Sequence, residues 1–361
     1  MNLQADVCIV GGGPAGTLLG HLLAKNGVST LIIERSAGVN RQFRGEHINA
    51  ETEEILKQHK LFKRIEELGI LKMKKVEYFA GRNIVKSITP RNHEEHVGIH
   101  VPQAHLLTAI IEESEENNHF QLLFNTTVKE LIQDDQGYYT GVKAIQNGEE
   151  IHISSKVTIG ADGRYSTVRK LAKIATIEMT HGYDVLWAKI PAPKDWEPTT
   201  RMVLVNGHQL ALFSQTGGLI QIGWNIPEGS FPTLRKGSIQ PFLGPLIESF
   251  PELEDSVKKN LLSWNDFVCL KVQSSRCETW VEDGLILIGD AAHTMTPTGA
   301  IGINCGMKDA HILAPILTKA IFENKIQSEH LKLFEMNRRN EIKTQQIMQV
   351  KQETTLAEKF A

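Results

Sequence analysis

Apolar positions near the amino terminus form an unbroken run followed by a run with apolar residues every three or four positions. The run from Ala5 to Val10 predicts a buried strand, and the glycine-rich stretch GGGPAG follows it directly. The next stretch, TLLGHLLAKNG, has helical periodicity and ends in a glycine that suits a helix stop. Because STLIIE then predicts a second strand ending at Glu34, we expect residues 5–34 to form one β-α-β unit.

The alternation of helical and extended patterns continues through the first half of the chain. Helices are predicted within Thr52 to Leu68 and Pro102 to Glu116, and strands near Lys75 to Ala80 and Val97 to Val101. Such alternation is typical of α/β proteins. Between Leu122 and Gly160, short strand-like segments are separated by the turn sequences DDQG and QNGE, which predicts a small meander and a return strand.

A β-rich block follows, from about Thr176 to Ser275. Within it, HQLALFSQ and LIQIGWNI are separated by the residues TGG at 216–218, which is typical of a hairpin. GLILIGD then predicts a strand and GINCGMKDAHILAPILTKAIF a helix, so the chain returns to a βα unit. The charged tail from Ser328 predicts a solvated helix with one packed face.

Length, charge and cysteine content narrow the class of protein. A chain of 361 residues has room for about two domains. Its 39 Lys and Arg residues against 42 Asp and Glu residues give a formal net charge of −3, which argues against a nucleic-acid binder. No apolar run is long enough for a transmembrane segment and no secretory leader precedes VCIVGGG, so we expect a cytoplasmic protein. Cys8, Cys269, Cys277 and Cys305 form no Cys-x-x-Cys pair, so we expect free thiols and no metal site.

The glycine-rich stretch has the spacing of a dinucleotide-binding turn. Gly11, Gly13 and Gly16 occupy the three positions of G-x-G-x-x-G, which permit a tight turn, close approach to a pyrophosphate, and packing of helix on strand. The helix amino terminus would present free N–H groups and a positive dipole end to the phosphates. Glu34 ends the next strand, where a carboxylate can bind ribose hydroxyls and disfavours a 2′-phosphate. The turn therefore favours FAD or NAD over NADP; the alternative is a glycine-rich turn with a surface glutamate.

Two later segments also place an acidic residue and a turn after a strand. Residues 157–169, VTIGADGRYSTVR, place Asp162 just after a strand and Arg169 at the start of a helix. Residues 284–304, GLILIGDAAHTMTPTGAIGIN, place Asp290 before a turn rich in proline and glycine that leads into a helix. Either segment alone is compatible with a capped helix start. Together with the first motif they indicate a nucleotide site built from three parts of the chain.

These three segments together resemble the flavoprotein aromatic hydroxylases, the para-hydroxybenzoate hydroxylase-like group of single-component FAD monooxygenases. The resemblance covers nearly the whole chain apart from residues 176–275. It implies an α/β fold with a Rossmann-type FAD-binding domain, an inserted mixed β-sheet substrate domain and a C-terminal helix, with the flavin ring at the junction of the domains. The predicted boundaries are 1–74, 102–175 and 276–361 for the discontinuous FAD-binding domain, and 75–101 and 176–275 for the β-rich substrate domain.

The resemblance also implies which positions contact the cofactor. The ADP part is expected at Gly11, Gly13, Pro14, Ala15, Gly16, Glu34 and Arg35, with Arg44 on the phosphates, Gln103 on the ribityl chain and Val128 against adenine through its backbone. Asp162 is expected to support the pyrophosphate, Asp290 to bind the ribityl or pyrophosphate region, and Pro297, Gly299, Gly302, Ile303 and Asn304 to lie beside the isoalloxazine. Without the resemblance, Arg44 would be a surface cation, Gln103 a polar residue at a helix start, and Val128 a core residue.

The residue types of the third motif suit a position beside a flavin ring. Reduced flavin carries negative charge on its pyrimidine edge, and a helix beginning near Gly302 would aim unpaired N–H groups and its positive dipole end at that charge. The small residues Gly299, Ala300 and Gly302 let the backbone approach the ring. His293 lies in a crowded turn, and we expect it to form structural hydrogen bonds rather than to donate protons.

The leading hypothesis is an NAD(P)H-dependent FAD monooxygenase that hydroxylates an aromatic or phenolic small molecule with molecular oxygen through a flavin hydroperoxide. Because only one dinucleotide fingerprint is present in the sequence, NADH or NADPH is expected to visit transiently. The pocket is expected to draw on residues near 75–100 and 180–225, and no catalytic residue is assigned. The candidate pocket residues are His96, His100, His181, Tyr183, Arg201, His208 and Trp224.

Three other functions remain open. Flavin-dependent halogenases carry Trp-x-Trp-x-Ile-Pro, of which residues 222–227 hold only the second half. Geranylgeranyl-type reductases carry a Gly-Trp-x-aromatic-Pro stretch, from which GWNIP departs at the aromatic position. A redox module that binds FAD without turnover is also possible, although no further domain is present to carry an output. Trp224 is expected to be a buried aromatic of the sheet.

Overall fold

The computed structural model describes residues 1–39, 46–91, 94–205 and 207–359, with side chains described as far as Glu353. The strands, numbered in chain order, are β1 (Asn2–Val10), β2 (Thr30–Ile33), β3 (His47–Ile48), β4 (Leu71–Lys72), β5 (Lys75–Ala80), β6 (Asn83–Ile88), β7 (Ile99–His100), β8 (Phe120–Leu123), β9 (Thr126–Gln133), β10 (Tyr139–Gln146), β11 (Glu149–Gly160), β12 (Thr176–Pro191), β13 (Thr199–Val205), β14 (His208–Gln215), β15 (Leu219–Pro227), β16 (Val268–Cys277), β17 (Val281–Glu282), β18 (Leu285–Leu287) and β19 (His293–Thr294). The helices are α1 (Pro14–Lys25), α2 (Ala50–Gln58), α3 (Phe62–Leu68), α4 (Gln103–Glu115), α5 (Thr167–Leu171), α6 (Phe231–Leu234), α7 (Gln240–Ser249), α8 (Glu254–Asn260), α9 (Gly302–Phe322) and α10 (Ser328–Lys359).

The first sheet has a Rossmann-type parallel core. Its parallel strands lie in the order β8-β2-β1-β11-β18, which is 3-2-1-4-5 by position along the chain, and β17 adds to β18 in antiparallel orientation. The meander predicted within Leu122 to Gly160 is confirmed, because β9 and β10 pair in antiparallel orientation and β11 returns beside β1. The strand order reverses between β1 and β11, so their carboxyl ends border the crevice where such sheets bind ligands.

The predicted β-α-β unit is confirmed by β1, α1 and β2. Its strands are almost fully buried, as expected of parallel strands with helices on both faces. Gly20 lets α1 approach β2 closely, since a Cβ there would lie 2.5 Å from Ile32 Cδ1. Cys8 is a buried strand residue and burial raises its pKa to about 12, so it behaves as a small hydrophobe. All four cysteines are free thiols.

The second sheet has the strand order β19-β16-β12-β15-β14-β13-β5-β6 and is antiparallel except for the β5–β13 pair. The predicted hairpin is confirmed by β14 and β15. The block from Thr176 to Ser275 also contains α6, α7 and α8, of which only the charged stretch near α8 shows a clear helical pattern in the sequence. Prolines and glycines interrupt the periodicity of 231–249, yet α7 and α8 cover the apolar face of this sheet.

Some strands pair across the predicted domain boundaries. Strands β5 and β6 join the second sheet, whereas β7, from the same predicted segment, pairs with β3 and β4 in a small third sheet. Strand β19 pairs with β16 and so extends the second sheet into the segment predicted for FAD binding. The domain boundaries therefore stay a prediction, with these strands crossing between the two segments.

Helix α10 begins at Ser328, as the sequence predicts. One side packs into the core through Leu331, Phe334 and Ile342, while Leu333 and Met336 are exposed. No helix among the described residues is both long and apolar enough to cross a membrane.

We expect the stability of the fold to fall as the pH is lowered from about 6.5 toward 4. His21 on α1 is buried with its Nδ1 2.9 Å from Ser114 Oγ on α4, and burial lowers the pKa of His21 from 6.5 to about 4. The unfolded chain therefore binds this proton at a higher pH than the folded chain does. His21→Leu should reduce the loss of stability between pH 7 and pH 5, because it removes the group that takes up the proton on unfolding. The Ser114 hydroxyl is not left without a partner, since it keeps its bond to Ile110 O.

Urea unfolding at the two pH values measures this effect. The exposed His119 provides the control His119→Leu, which should leave the pH dependence of the wild type unchanged. An equal loss of stability in wild type and His21→Leu would show that His21 does not contribute to the pH dependence.

Candidate functional site

The first motif forms a tight turn at the crevice between β1 and β11. Gly11 has a φ of +112°, and a Cβ there would lie 2.4 Å from Ala161 O, so only glycine fits. A Cβ on Gly16 would lie 2.1 Å from Gly11 O, so this glycine lets α1 begin directly against the turn. Helix α1 starts at Pro14 without a side-chain cap, which leaves the N–H groups of its first turn available to an anion.

Glu34 follows β2 and is 5 % exposed. Its Oε2 accepts the Gly12 N–H at 2.8 Å, and its Oε1 accepts the Ser36 N–H at 2.8 Å and the Ser36 hydroxyl at 2.7 Å. Strand β9 begins beside it, because Thr126 N donates to Glu34 O at 2.9 Å, and the buried Val128 lies two positions further along that strand. Glu34 and Val128 are thus brought to one edge of the first motif.

Arg35 is exposed, and Arg44 lies outside the described residues. Gln103 is the first residue of α4 and is buried, and its N–H donates to Glu46 at 3.5 Å. The sequence places these three residues on the cofactor by resemblance, and those contacts stay predictions.

The second motif is ordered by Asp162. Its carboxylate accepts the Ser166 hydroxyl at 2.5 Å and the N–H groups of Thr167 and Val168 at 2.6 and 3.1 Å. Both oxygens therefore cap the start of α5 and shape the turn. The next residue, Gly163, has a φ of +83° and no atom within 4 Å of a Cβ position, so the backbone here borders open space.

The three motifs meet in space. Arg169 joins the second motif to the third, since its Nη1 donates to Ala291 O at 2.8 Å. The third motif contacts the first, because a Cβ on Gly289 would lie 3.4 Å from Ala15 Cβ. Asp290 follows Gly289 and is partly exposed at this junction.

A buried charge cluster holds the third motif in place. Asp309 on α9 is fully buried and accepts the Gly289 N–H at 2.8 Å and Arg338 Nε at 2.7 Å, while His293 Nε2 lies 2.7 Å from its Oδ2. Burial acts to raise the pKa of Asp309, but the pairing with His293 and Arg338 outweighs it and the pKa lies below its ordinary value. His293 thus has the structural hydrogen-bonding role expected from the sequence.

The turn between β19 and α9 has a strained backbone. Gly299 has a φ of +75°, and Ala300 has a φ of +52°, which costs a non-glycine residue about 1 kcal/mol. Helix α9 begins at Gly302 with no side-chain cap, so its first N–H groups point out of the helix without an intrahelical acceptor. Asn304 secures this start, because its side chain donates to His47 O at 3.0 Å and to Ala300 O at 3.1 Å.

The same turn is bonded to the carboxylate of Glu353 on α10. Glu353 Oε1 accepts the hydroxyls of Thr296 and Thr298, both at 2.7 Å, and of Tyr183 at 2.9 Å, and its Oε2 lies 2.8 Å from His181 Nδ1. Tyr183 and His181 belong to β12 of the second sheet, so one carboxylate joins three elements. Burial acts to raise the pKa of Glu353, but these hydrogen bonds outweigh it and leave the pKa below its ordinary value. No feature of the sequence near Glu353 indicates this role.

A second polar contact joins the domains around Glu46. Its Oε2 lies 3.1 Å from His100 Nε2, 3.2 Å from Gln215 Nε2 and 3.7 Å from Lys189 Nζ. Burial would raise the pKa of Glu46, but the bond to His100 and the charge of Lys189 hold it below its ordinary value. Glu46 directly precedes β3, and its partners come from β7, β12 and β14, which sequence spacing alone does not bring together.

The seven candidate pocket residues from the sequence divide into three groups. His100, His181 and Tyr183 lie at the two polar contacts between the domains. Trp224 is 4 % exposed, and its ring centroid lies 3.9 Å from that of Phe242 in the core of the second sheet. The prediction that Trp224 is a buried aromatic of the sheet is confirmed. The other three lie elsewhere: Arg201 pairs with Glu77 and Glu252, His96 contacts Glu53, and His208 begins β14.

Comparison with known proteins identifies the family. Residues 4–348 match the family described as FAD binding domain. The chain belongs to this family. It is an FAD-dependent oxidoreductase, and the resemblance to the FAD-dependent aromatic hydroxylases is confirmed. The uncapped start of α1, the cradle of Gly11 and Gly16, and the buried Glu34 all fit the ADP part of FAD.

Three similar proteins illustrate the relationship. The chain is 31 % identical to 6-methylpretetramide 4-monooxygenase of Streptomyces rimosus over 362 residues, covering 97 % of this chain and 84 % of the relative. It is 27 % identical to digeranylgeranylglycerophospholipid reductase of Methanocaldococcus jannaschii, covering 93 % and 82 %. The solved structure of p-nitrophenol 4-monooxygenase PnpA from Pseudomonas putida superposes with a TM-score of 0.79 at 20 % identity, covering 98 % and 89 %, which shows the shared fold.

Glu34→Ala is expected to weaken FAD binding about tenfold, which corresponds to about 1.4 kcal/mol. The change removes the carboxylate that orders Gly12 and Ser36 beside the first motif. FAD affinity is measured by quenching of flavin fluorescence in titrations of the apoprotein. The control is Glu130→Ala, which removes an exposed glutamate of β9 paired with Lys143. Equal FAD affinity in both variants would contradict a role for Glu34.

Glu353→Gln is expected to lower the melting temperature and to change the absorption spectrum of the bound flavin. The amide offers one acceptor oxygen where the carboxylate offers two, and each buried donor left unsatisfied costs about 1–3 kcal/mol. Thermal melting and the spectrum of the FAD-loaded protein measure the two effects. Glu329→Gln, at the exposed start of the same helix, is the control. A spectrum and melting temperature that match the wild type would show that Glu353 does not hold the turn.

Proposed function

We propose that the chain is an NAD(P)H-dependent monooxygenase that adds one oxygen atom from O2 to an aromatic small molecule. The observation that supports this most directly is the contact between the turn that begins α9 and strand β12. Tyr183 OH lies 3.1 Å from Thr298 Oγ1, and both bond to Glu353. The turn expected beside the flavin ring therefore meets the sheet expected to hold the substrate.

The residues of three motifs would hold FAD along the crevice of the first sheet. The ADP part fits Gly11, Gly16 and Glu34, and the ring fits the turn that contains Gly299 and Gly302. When bound, FAD supplies transfer of electrons from NAD(P)H to oxygen and of one oxygen atom to the substrate, with water as the other product.

The chain's own groups provide the electrostatics and the closed surroundings. The uncapped N–H groups at the start of α9 favour negative charge on a neighbouring group, because they add to the positive end of the helix dipole. The hydrogen bonds of Glu353 close one side of the junction between turn and sheet, which limits access of water from that side. NADH or NADPH would approach from solvent and leave again, since the sequence has a single dinucleotide fingerprint.

A second candidate is reduction of an isoprenoid double bond, because one relative is a digeranylgeranylglycerophospholipid reductase. The segment that the sequence shares in part with such reductases contains Trp224. Its side chain packs on Phe242 in the apolar core between the second sheet and α7. It is thus not available to line a pocket at the junction. This placement favours the monooxygenase, and it applies equally to the half-motif shared with halogenases.

The decisive experiment follows NAD(P)H oxidation and product mass with a panel of phenols and fused-ring phenols under 18O2. We expect slow oxidation without substrate, faster oxidation with a suitable aromatic compound, and a product carrying one 18O atom. Product formation under strict anaerobiosis would favour the reductase, and halide-dependent product would favour a halogenase. Either result would overturn the proposed function.

A further inference from the structure

The second sheet has a face that carries aromatic side chains next to a glycine. Trp187 on β12 pairs with Gly223 on β15, and Lys189, two positions further, pairs with Gln221. Gln221 also pairs with Phe213 on β14. Paired residues in a sheet point to the same face, and residues two positions apart do so as well. Trp187, Lys189 and Phe213 therefore share one face.

The two faces of this sheet differ in burial. On the far face, Leu186, Leu212 and Ile222 are fully buried in the apolar core beneath α7 and α8. On the near face, Trp187 and Phe213 are only partly buried. Large aromatic side chains that remain partly exposed on an otherwise buried sheet are typical of a ligand surface.

Both ends of the near face are attached to the FAD-binding part of the chain. At one end, Tyr183 OH contacts Thr298 in the turn before α9. At the other end, Lys189 contacts Glu46, which also accepts the N–H at the start of α4. Tyr183 and Lys189 are six positions apart on one strand, a span of roughly 20 Å. Trp187 lies between these two attachment points, on the side of the sheet that faces the junction.

The Trp187 ring lies against the backbone of Gly223. A Cβ at Gly223 would lie 2.6, 3.0 and 3.3 Å from three atoms of the six-membered ring of Trp187. Only a glycine at 223 leaves room for the ring, and the Trp187 side chain remains partly exposed. Phe213 stands beside it, with ring centroids 6.0 Å apart and planes inclined by 45°. We call Trp187, Phe213 and the backbone at Gly223 the aromatic floor.

Polar side chains border the aromatic floor. Gln215 Nε2 donates to Gln221 Oε1 at 2.6 Å, and Lys189 and Gln215 both reach Glu46. Asn225, two positions beyond Gly223, is partly exposed on the same face. Such groups can bond to oxygen substituents at the edge of a flat ligand, whereas the floor itself offers only ring surface.

We propose that the aromatic floor binds the substrate and selects planar compounds of several fused aromatic rings over single-ring phenols. The proposal rests on the proposed function, because it places an aromatic substrate at the junction of the domains. The physical reason is contact area: each added ring extends the surface that stacks on Trp187 and Phe213 and leaves water. A single ring covers only part of the floor.

Binding is tested apart from turnover with the FAD-loaded, oxidised protein under nitrogen. The probes are phenol, 2-naphthol and 2-hydroxyanthracene, titrated by the change in flavin absorbance. We expect the Kd to fall with each added ring, by about tenfold or more from phenol to 2-hydroxyanthracene. Equal Kd values for the three probes would overturn the proposal.

The variants Trp187→Leu and Phe213→Leu test the floor itself. Each should raise the Kd of 2-hydroxyanthracene about tenfold and that of phenol less than about threefold, since the larger ligand loses more stacking area. Phe322→Leu removes an aromatic side chain that is 66 % exposed at the carboxyl end of α9, outside the second sheet and the three motifs, and should change neither value. Equal weakening of all probes, or none, in both variants would overturn the proposal. If Trp187→Leu lowers FAD content, Phe213→Leu decides the test by the same criterion.

The two proposals fail in different ways. Binding that strengthens with ring number, with no oxygen added to any product in air, would reject the proposed function and support the floor. Hydroxylation of phenol and of 2-hydroxyanthracene with equal Kd values would support the proposed function and reject the floor.

Discussion

The carboxylate of Asp309 is the constraint on which the site depends. A buried charge is stable only when it is paired and hydrogen-bonded, and Asp309 meets this condition through Gly289 N–H, His293 and Arg338. Those partners come from the middle of the third motif and from α10. The pairing therefore fixes where the third motif lies against α9, and it also fixes where α10 crosses the molecule.

The position of α10 in turn determines how the domains meet. Once Arg338 is anchored, the later turns of the helix bring Gln349 and Glu353 to the segment before α9. Gln349 donates to Thr296 O, and Glu353 accepts hydroxyls from that segment and from Tyr183 on the second sheet. The turn with left-handed Gly299 and Ala300 is thus held by side chains from outside it, which is how a strained backbone persists at a site.

The second sheet has separate roles on its two faces. The far face forms an apolar core with α7 and α8, and Trp224 belongs to it. The near face carries Trp187 and Phe213 between two polar attachments to the FAD-binding part. Residues of the near face can therefore change without disturbing the apolar core on the far face.

Much of the fold and the first half of the site were predictable from local pattern. The β-α-β unit, the three motifs, the hairpin after Gln215 and the start of α10 depend on periodicity, glycine spacing and turn residues, which act over short stretches of chain. The prolines and glycines of 231–249 concealed α7, because its stability comes from packing on the sheet rather than from its own sequence.

The contacts that assemble the site could not be predicted in this way. Glu353 meets Tyr183 across 170 positions and Gln215 meets Glu46 across 169, and no spacing in the sequence relates such partners. Whether Trp187 or Trp224 faces the junction depends on the strand register, since a shift of one residue exchanges the two faces. The sequence by itself determined the family, the cofactor and the nucleotide-binding turn, because these depend on local backbone geometry. The tertiary structure decided which distant polar groups pair and which side chains face the junction, because burial of charge and apolar surface is a property of the whole fold.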